Sequence, residues 1–214
     1  MSYISDRRQE EKDRRRAEIL DAAETLYAET GWDAISMDQV ARKARLSRAL
    51  LYVYFKDKGD LHMALVERAL DALHERFVAA SEHKPSGIDE VIAIGRAYLA
   101  FSVEMPHYFD ACSRYQAHPA TTHEPGTPCN EAACEVAGHR VHEVMVQSLA
   151  RGVADGSVRD NLGDLYLTAL SLWAFTHGLI QIAATKGGQI EHEGNPVGAF
   201  IDHGFNLAVR ALRP

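Results

Sequence analysis

The chain has 214 residues, 46% hydrophobic and 25% charged, an ordinary composition for a soluble globular protein with room for one sizeable core or two small ones. Its formal net charge of −7 excludes a uniformly basic nucleic-acid binder, and three cysteines, an odd number, exclude a disulfide framework. The polar, charged start of the sequence is not expected to act as a signal peptide, and the composition suits a reducing cytoplasm.

The charge is unevenly spread. Residues 1–60 carry 12 Lys+Arg and 12 Asp+Glu, so the rest of the chain supplies the whole −7. Within that first part, residues 42–58 hold six basic groups (Arg42, Lys43, Arg45, Arg48, Lys56, Lys58) against Asp57 alone. A local cationic segment on an acidic protein is the asymmetry expected when one segment meets phosphates and the rest avoids them; a solvated basic face is the alternative.

Taken in chain order, the first helix is expected from about Arg14 to Glu29, burying Ile19, Ala23, Leu26 and Tyr27, with Gly31 as its stop. The charged arm before Arg14 reads as a solvated terminus or a disordered segment that reaches DNA. Ser36 is an N-cap for a short helix, Met37 to Ala44, and Ser47 opens a second one through about Tyr54. Asp57 or Asp60 starts a long helix to about Glu82, in which Leu61, Leu65, Ala69, Leu73 and Phe77 recur every four residues.

Lys84-Pro85-Ser86-Gly87 breaks the chain, after which Val91, Ile94, Tyr98, Phe101 and Met105 form a helical stripe. Pro106 sits in the first turn of the next short helix, and residues 117–129, rich in Pro, Thr, His and Gly, read as a long loop. Helices follow at about 130–155, 162–186 and 196–212. Leu165 to Thr185 has no formal charge and the length of a membrane span. Its Thr168, Ser171, Thr176, His177 and Gln181, with no flanking basic anchors, point instead to a helix buried in a protein bundle.

No period-2 run occurs, so the expected fold is all-α with about nine helices. An N-terminal helix-turn-helix three-helix unit (residues 1–57) precedes a C-terminal helical ligand-binding and dimerisation domain (residues 58–214).

Two short capped helices joined by three or four residues form a helix-turn-helix pattern, in which the second helix enters the major groove with its N-terminal residues facing base edges. Ser47, Arg48, Ala49 and Leu50 are therefore the base-reading candidates: Arg48 for guanine, Ala49 or Leu50 for a thymine methyl.

The run Gly31-Trp32-Asp33-Ala34-Ile35-Ser36-Met37, then Val40-Ala41, Leu46-Ser47 and Leu51-Tyr52-Val53-Tyr54-Phe55-Lys56-Asp57-Lys58-Gly59-Asp60-Leu61, resembles the N-terminal domain of the TetR family of repressors. The resemblance implies that Tyr52, Tyr54 and Lys58 contact phosphates and that Ser36, Met37 and Gln39 sit at the DNA-facing start of the preceding helix. Packing is the alternative for Tyr52 and Met37, and a solvated helix start for Lys58. Two departures stand out. Arg45 occupies a turn position where the family usually has glycine, which is either strain accepted for another cationic contact or a different turn geometry. Ala49-Leu50 replaces the commoner Gly/Pro-Thr pair.

In the C-terminal part, Tyr98-Leu99-Ala100-Phe101 with Met105-Pro106-His107-Tyr108-Phe109, and Trp173 followed by His177-Gly178, are similar to a subgroup of TetR-like domains named for a Trp-His-Gly motif. Candidate contacts to a small-molecule effector are Tyr98, Phe101, Met105, Phe109, Tyr115, Trp173, His177 and Gln181, aromatic walls with few polar groups; a plain aromatic core is the alternative. Val197, Ile201, Gly204, Phe205, Ala208 and Leu212 form an apolar face expected to pair with its copy in a homodimer, as a four-helix bundle with the 162–186 helices.

The expected partners are thus double-stranded operator DNA of palindromic sequence, a second copy of the chain and a small-molecule effector, with no membrane and no cofactor. An alternative is a metal-responsive regulator using Cys112, His118, His123, Cys129, Cys134, His139 and His142. A helical enzyme is disfavoured, because no nucleophile-base spacing or phosphate-cradling glycine loop occurs.

Overall fold

The computed structural model describes residues 3–115 and 130–214, with side chains from Asp6 onward in the first helix. Among the described residues there are nine α-helices and no strand: α1 (Tyr3–Thr30), α2 (Met37–Lys43), α3 (Arg48–Tyr54), α4 (Lys58–Ser81), α5 (Gly87–Glu104), α6 (Pro106–Arg114), α7 (Asn130–Asp155), α8 (Leu165–His192) and α9 (Val197–Leu212). The expected loop at 117–129 lies outside the described residues.

Two compact units emerge, and neither is continuous in sequence: Met1–Leu70 with Met105–Val136, and Asp71–Glu104 with Ala137–Pro214. Helices α4 and α7 contribute residues to both.

The first unit is built around Ile19, Ala23, Tyr27, Trp32, Ile35, Val40, Leu51, Phe55, Leu61, Leu65, Ala111 and Cys134. Burying a side chain such as Phe55 or Leu51 completely is worth about 1.5–3 kcal/mol, which is what makes the seven-residue helices α2 and α3 persist. Asp57 Oδ1 accepts from Asp60 N (2.8 Å) and Asp60 Oδ2 from Lys56 N (3.0 Å), a reciprocal cap that starts α4.

Helix α1 begins well before Arg14, which corrects the expected helix start and the disordered reading of the arm, while residues 6–14 are exposed to solvent. Charges placed three and four residues apart support it in water: Arg14–Glu11 (2.5 Å), Arg15–Glu11 (3.3 Å), Arg15–Glu18 (2.9 Å) and the Gln9–Asp13 hydrogen bond (2.8 Å).

The second unit packs Ile88, Val91, Leu149, Val158, Ala169 and Leu212. Gly87 and Gly152 let α5 and α7 touch backbone to backbone: a Cβ on Gly87 would lie 2.1 Å from Gly152 N. Helix α8 runs on through Gly187-Gly188, a pair read from sequence as part of a linker. The true stop is Gly194 (φ 83), where Asn195 N donates to Ile190 O and Gly194 N to Glu191 O, a Schellman ending. Gly187 instead lies against Val197, with a Cβ there 3.3 Å from Val197 Cγ2.

Helix α8 is long and apolar enough to cross a membrane by length and composition, and only 22% of that apolar window is buried on this chain. Leu167, Phe175 and Ile182 are exposed.

Candidate nucleic-acid interface and effector site

Local hydrogen bonds set the helix-turn-helix. Gln39 N donates to Ser36 Oγ (3.3 Å) while Ser36 N donates to Gln39 Oε1 (2.7 Å), a complete capping box, and Ser47 Oγ accepts from Leu50 N (3.2 Å). Ser36 and Gln39 thus shape the start of α2. Between the helices, Arg45 adopts φ 57. Arg45 N donates to Arg42 O (3.1 Å) and Leu46 N to Ala41 O (2.8 Å), so the turn is a Schellman motif with arginine at the position glycine prefers. The turn geometry is the ordinary one and the strain is accepted.

Arg45, Ser47, Arg48, Ala49, Leu50 and Tyr52 are all exposed on and beside α3. Arg48 pairs with Asp38 of α2 (Nε–Oδ1 3.2 Å) and lies over the Tyr52 ring (5.6 Å). Val53, 72% exposed, belongs to the same surface and was missed in the sequence. Its position three residues after Leu50 and four after Ala49 was the available signal.

Three candidates sit differently. Met37 is buried in the first core, which favours the packing alternative over the DNA-facing reading. Tyr54 is half-buried against the same core. Lys58 donates from Nζ to Trp32 O (2.7 Å) and lies over the Trp32 indole (4.9 Å), so it ties the start of α4 to the turn before α2.

Behind this face, polar side chains link α6 to α1. Tyr27 Oη donates to Asp110 Oδ2 (2.8 Å), and Arg114 reaches both Asp110 (2.8 Å) and Asp33 (3.1 Å). His62 is buried beside Trp32, ring centroids 4.7 Å apart, and its Nε2 has no partner among the described residues. Burial, with Arg114 and Lys58 adding positive charge nearby, presses its pKa down to about 4.

In the second unit, three effector candidates form one cluster. Trp173 Nε1 donates to Tyr98 Oη (3.1 Å), and Tyr98 Oη lies 2.8 Å from His177 Nδ1. His142 meets the Trp173 ring edge-on (centroids 5.6 Å), and Phe77 does the same to Tyr98 (6.2 Å). Desolvation lowers the pKa of both His142 and His177, favouring neutral imidazoles. Phe101 is fully buried under Arg76 (5.8 Å), and Gln181 follows His177 by one turn. Met105, Phe109 and Tyr115 belong to the first unit.

Of the face expected for dimerisation, Gly204 and Leu212 are buried within their own unit. Gly204 packs on Leu179 (a Cβ would lie 2.6 Å from Leu179 Cδ2), the Phe205 ring covers Gly95, and Leu212 is in the core. Val197, Ile201 and Ala208 are only partly exposed. The small residues admit α8 and α5 of the same chain, so the outward apolar surface is formed by Leu167, Phe175 and Ile182 of α8 with Leu207 of α9.

Among the described residues no three His, Cys, Asp or Glu side chains are placed to hold a metal ion. Cys112 and Cys134 are in the first unit and His139 and His142 in the second, while His118, His123 and Cys129 lie outside the described residues. Burial pushes both described thiols up to about 12, which disfavours thiolate.

Comparison with known proteins matches this architecture. The family model for bacterial regulatory proteins of the tetR family matches residues 19–65, and the Tetracyclin repressor-like C-terminal domain matches residues 91–205. The HTH-type transcriptional regulator YfiR of Bacillus subtilis is 32% identical over 75 residues, which is 35% of this chain and only 37% of that protein. TtgR of Pseudomonas putida, also an HTH-type transcriptional regulator, is 27% identical over 182 residues, 82% of each chain. The crystal structure of the transcriptional regulator FadR from Bacillus subtilis in complex with stearoyl-CoA superposes with a TM-score of 0.68 at 14% identity, covering 92% of this chain and 99% of that one. The chain belongs to the TetR family.

Proposed function

We propose that this regulator is a homodimeric repressor that leaves a palindromic operator when a small-molecule effector binds. The observation that carries the reading is the exposed α3 face, where Arg45, Ser47, Arg48, Ala49, Leu50, Tyr52 and Val53 stand together behind a capped N-terminus. Arg48 and the apolar Ala49, Leu50 and Val53 are suited to base edges, and Arg45 and Tyr52 to phosphates. Lys58 serves that surface by bracing Trp32, and Tyr54 from its half-buried site.

A second copy of the chain is the natural cover for Leu167, Phe175, Ile182 and Leu207, completing a four-helix bundle from α8 and α9 of both protomers. The effector would be recognised by the Tyr98–Trp173–His177 cluster of the Trp-His-Gly type, whose neutral hydrogen-bonding atoms sit among aromatic rings. Helix α4 is the covalent route between the two functions, since residues 58–70 belong to the unit with α3 and 71–81 to the other. Effector binding that favours a different α4 tilt would lower DNA affinity by linkage. The reading needs no cofactor, assigns no catalytic residue and puts the protein in the cytoplasm, where its operator is.

The test is fluorescence anisotropy on a duplex carrying the intergenic DNA upstream of its own gene. Binding with steep salt dependence, weakened by Arg48→Ala, is expected. No binding at low salt would overturn the proposal. Sedimentation velocity reads the assembly: a dimer for the parent protein, and monomers for Phe175→Glu with Leu207→Glu.

A further inference from the structure

The N-terminal overhang of α1 is left unexplained by the fold. Residues 6–14 are exposed from end to end, yet they are helical and their charges are sorted. At about 100° per residue, Arg8, Lys12, Arg15 and Arg16 fall on one side of the helix and Asp6, Glu10 and Asp13 on the other, with Arg7 and Arg14 at the border between them. Glu11, the acid on the cationic side, is taken up by Arg14 and Arg15. Arg7, Arg8 and Lys12 have no acidic partner within ion-pair distance among the described residues.

The cationic side is also the side with which α1 packs. The row Arg8, Lys12, Arg16 continues at four-residue steps into Leu20, which is buried. Arg16 is the joint: its guanidinium lies 5.6 Å over Phe55, the residue that ends α3, and bonds Asn130 Oδ1 (2.8 Å) and Glu67 Oε2 (3.3 Å). From that end of the recognition helix the row runs outward, Lys12 about 6 Å and Arg8 about 12 Å beyond Arg16 along the helix. That stride matches about two phosphates of one B-DNA strand.

We propose that Arg7, Arg8 and Lys12 are a second DNA-contact surface, a preformed cationic helix that binds the phosphate backbone flanking the sequence read by α3. The proposal rests on the DNA-binding reading above. Being helical before contact, the row needs little ordering on binding, and holding phosphates alone it adds affinity without sequence preference.

The experiment measures anisotropy across a salt series on the upstream intergenic duplex for the full chain, the triple variant Arg7→Gln/Arg8→Gln/Lys12→Gln and a charge-matched control, Arg96→Gln/Arg210→Gln/Arg213→Gln. Loss of three phosphate contacts lowers the slope of log K against log salt by about 2.7 per protomer, while the control keeps the parental slope. Arg7→Lys/Arg8→Lys, which retains the charges, also keeps it. An unchanged slope in the triple variant overturns this inference alone, as does an equal drop in the control, which would make net charge the cause. Absence of binding by the parent protein overturns the DNA-binding reading with it. Circular dichroism and Tm show that the triple variant is folded.

Discussion

Arg48, the first residue of the recognition helix, is held by Asp38, the second residue of the helix before it, with Nε 3.2 Å from Oδ1. The free protein therefore presents its main base-reading candidate already oriented but neutralised. Both side chains are more than half exposed, and exposed pairs of this kind are worth little, so a guanine edge or a phosphate can displace the carboxylate.

Arg48→Ala is expected to weaken specific DNA binding about tenfold or more, with relaxed discrimination at one base pair. Asp38→Asn is expected to tighten binding at low salt, because the competing carboxylate is gone. Anisotropy titrations of both variants on the same duplex check the pair, and tightening by Arg48→Ala would contradict the assignment.

Arg45 stores strain at φ 57 within a complete Schellman hydrogen-bond pattern. Arg45→Gly keeps the turn and removes the steric cost, so stability rises by about 1 kcal/mol in denaturant titration. The lost cation lowers DNA affinity and the salt slope by about 0.9 per protomer. Opposite signs for stability and affinity are the expected signature.

Gly87 and Gly152 are in backbone contact, and a Cβ on Gly87 would sit 2.1 Å from a backbone nitrogen that no rotamer change can move. Gly87→Ala is expected to cost about 3 kcal/mol or more, read as a lowered urea midpoint. Gly178→Ala, where a Cβ meets nothing within 4 Å, is the matched control and is expected to be neutral or slightly stabilising.

His62 links stability to pH. Its folded pKa of about 4 lies below the ordinary value of 6.5, so the unfolded chain binds the proton more readily between those values. The stability contributed by the neutral imidazole is fully present above about pH 6.5 and is lost as pH falls through about 4, on the order of 2–3 kcal/mol in all. His62→Phe removes that share of the acid dependence. The difference between the two stability profiles from pH 7 to about 4 checks it, and parallel profiles would show that His62 is not responsible.

The legible parts of the chain were those governed by near neighbours. Ser36 and Ser47 announce α2 and α3 because a cap is a hydrogen bond across three residues. Arg45 announced its own strain because a left-handed residue is demanded by the two-bond helix ending around it. The all-α class followed from periodicity, and the tetR-type signature from the Leu51–Leu61 run. The overhang of α1 was misread because its stability lies in many small ion pairs rather than in an apolar stripe.

By itself, then, the sequence determined the helix-turn-helix, its caps, its strained turn and the family. Only the tertiary structure decided that Gly204 and Phe205 pack against Leu179 and Gly95 of their own chain, and that Tyr98 meets Trp173 and His177. The physical reason is the range of the interactions. Caps and turns close within a few residues, whereas the face a helix buries depends on neighbours contributed by helices far away in sequence.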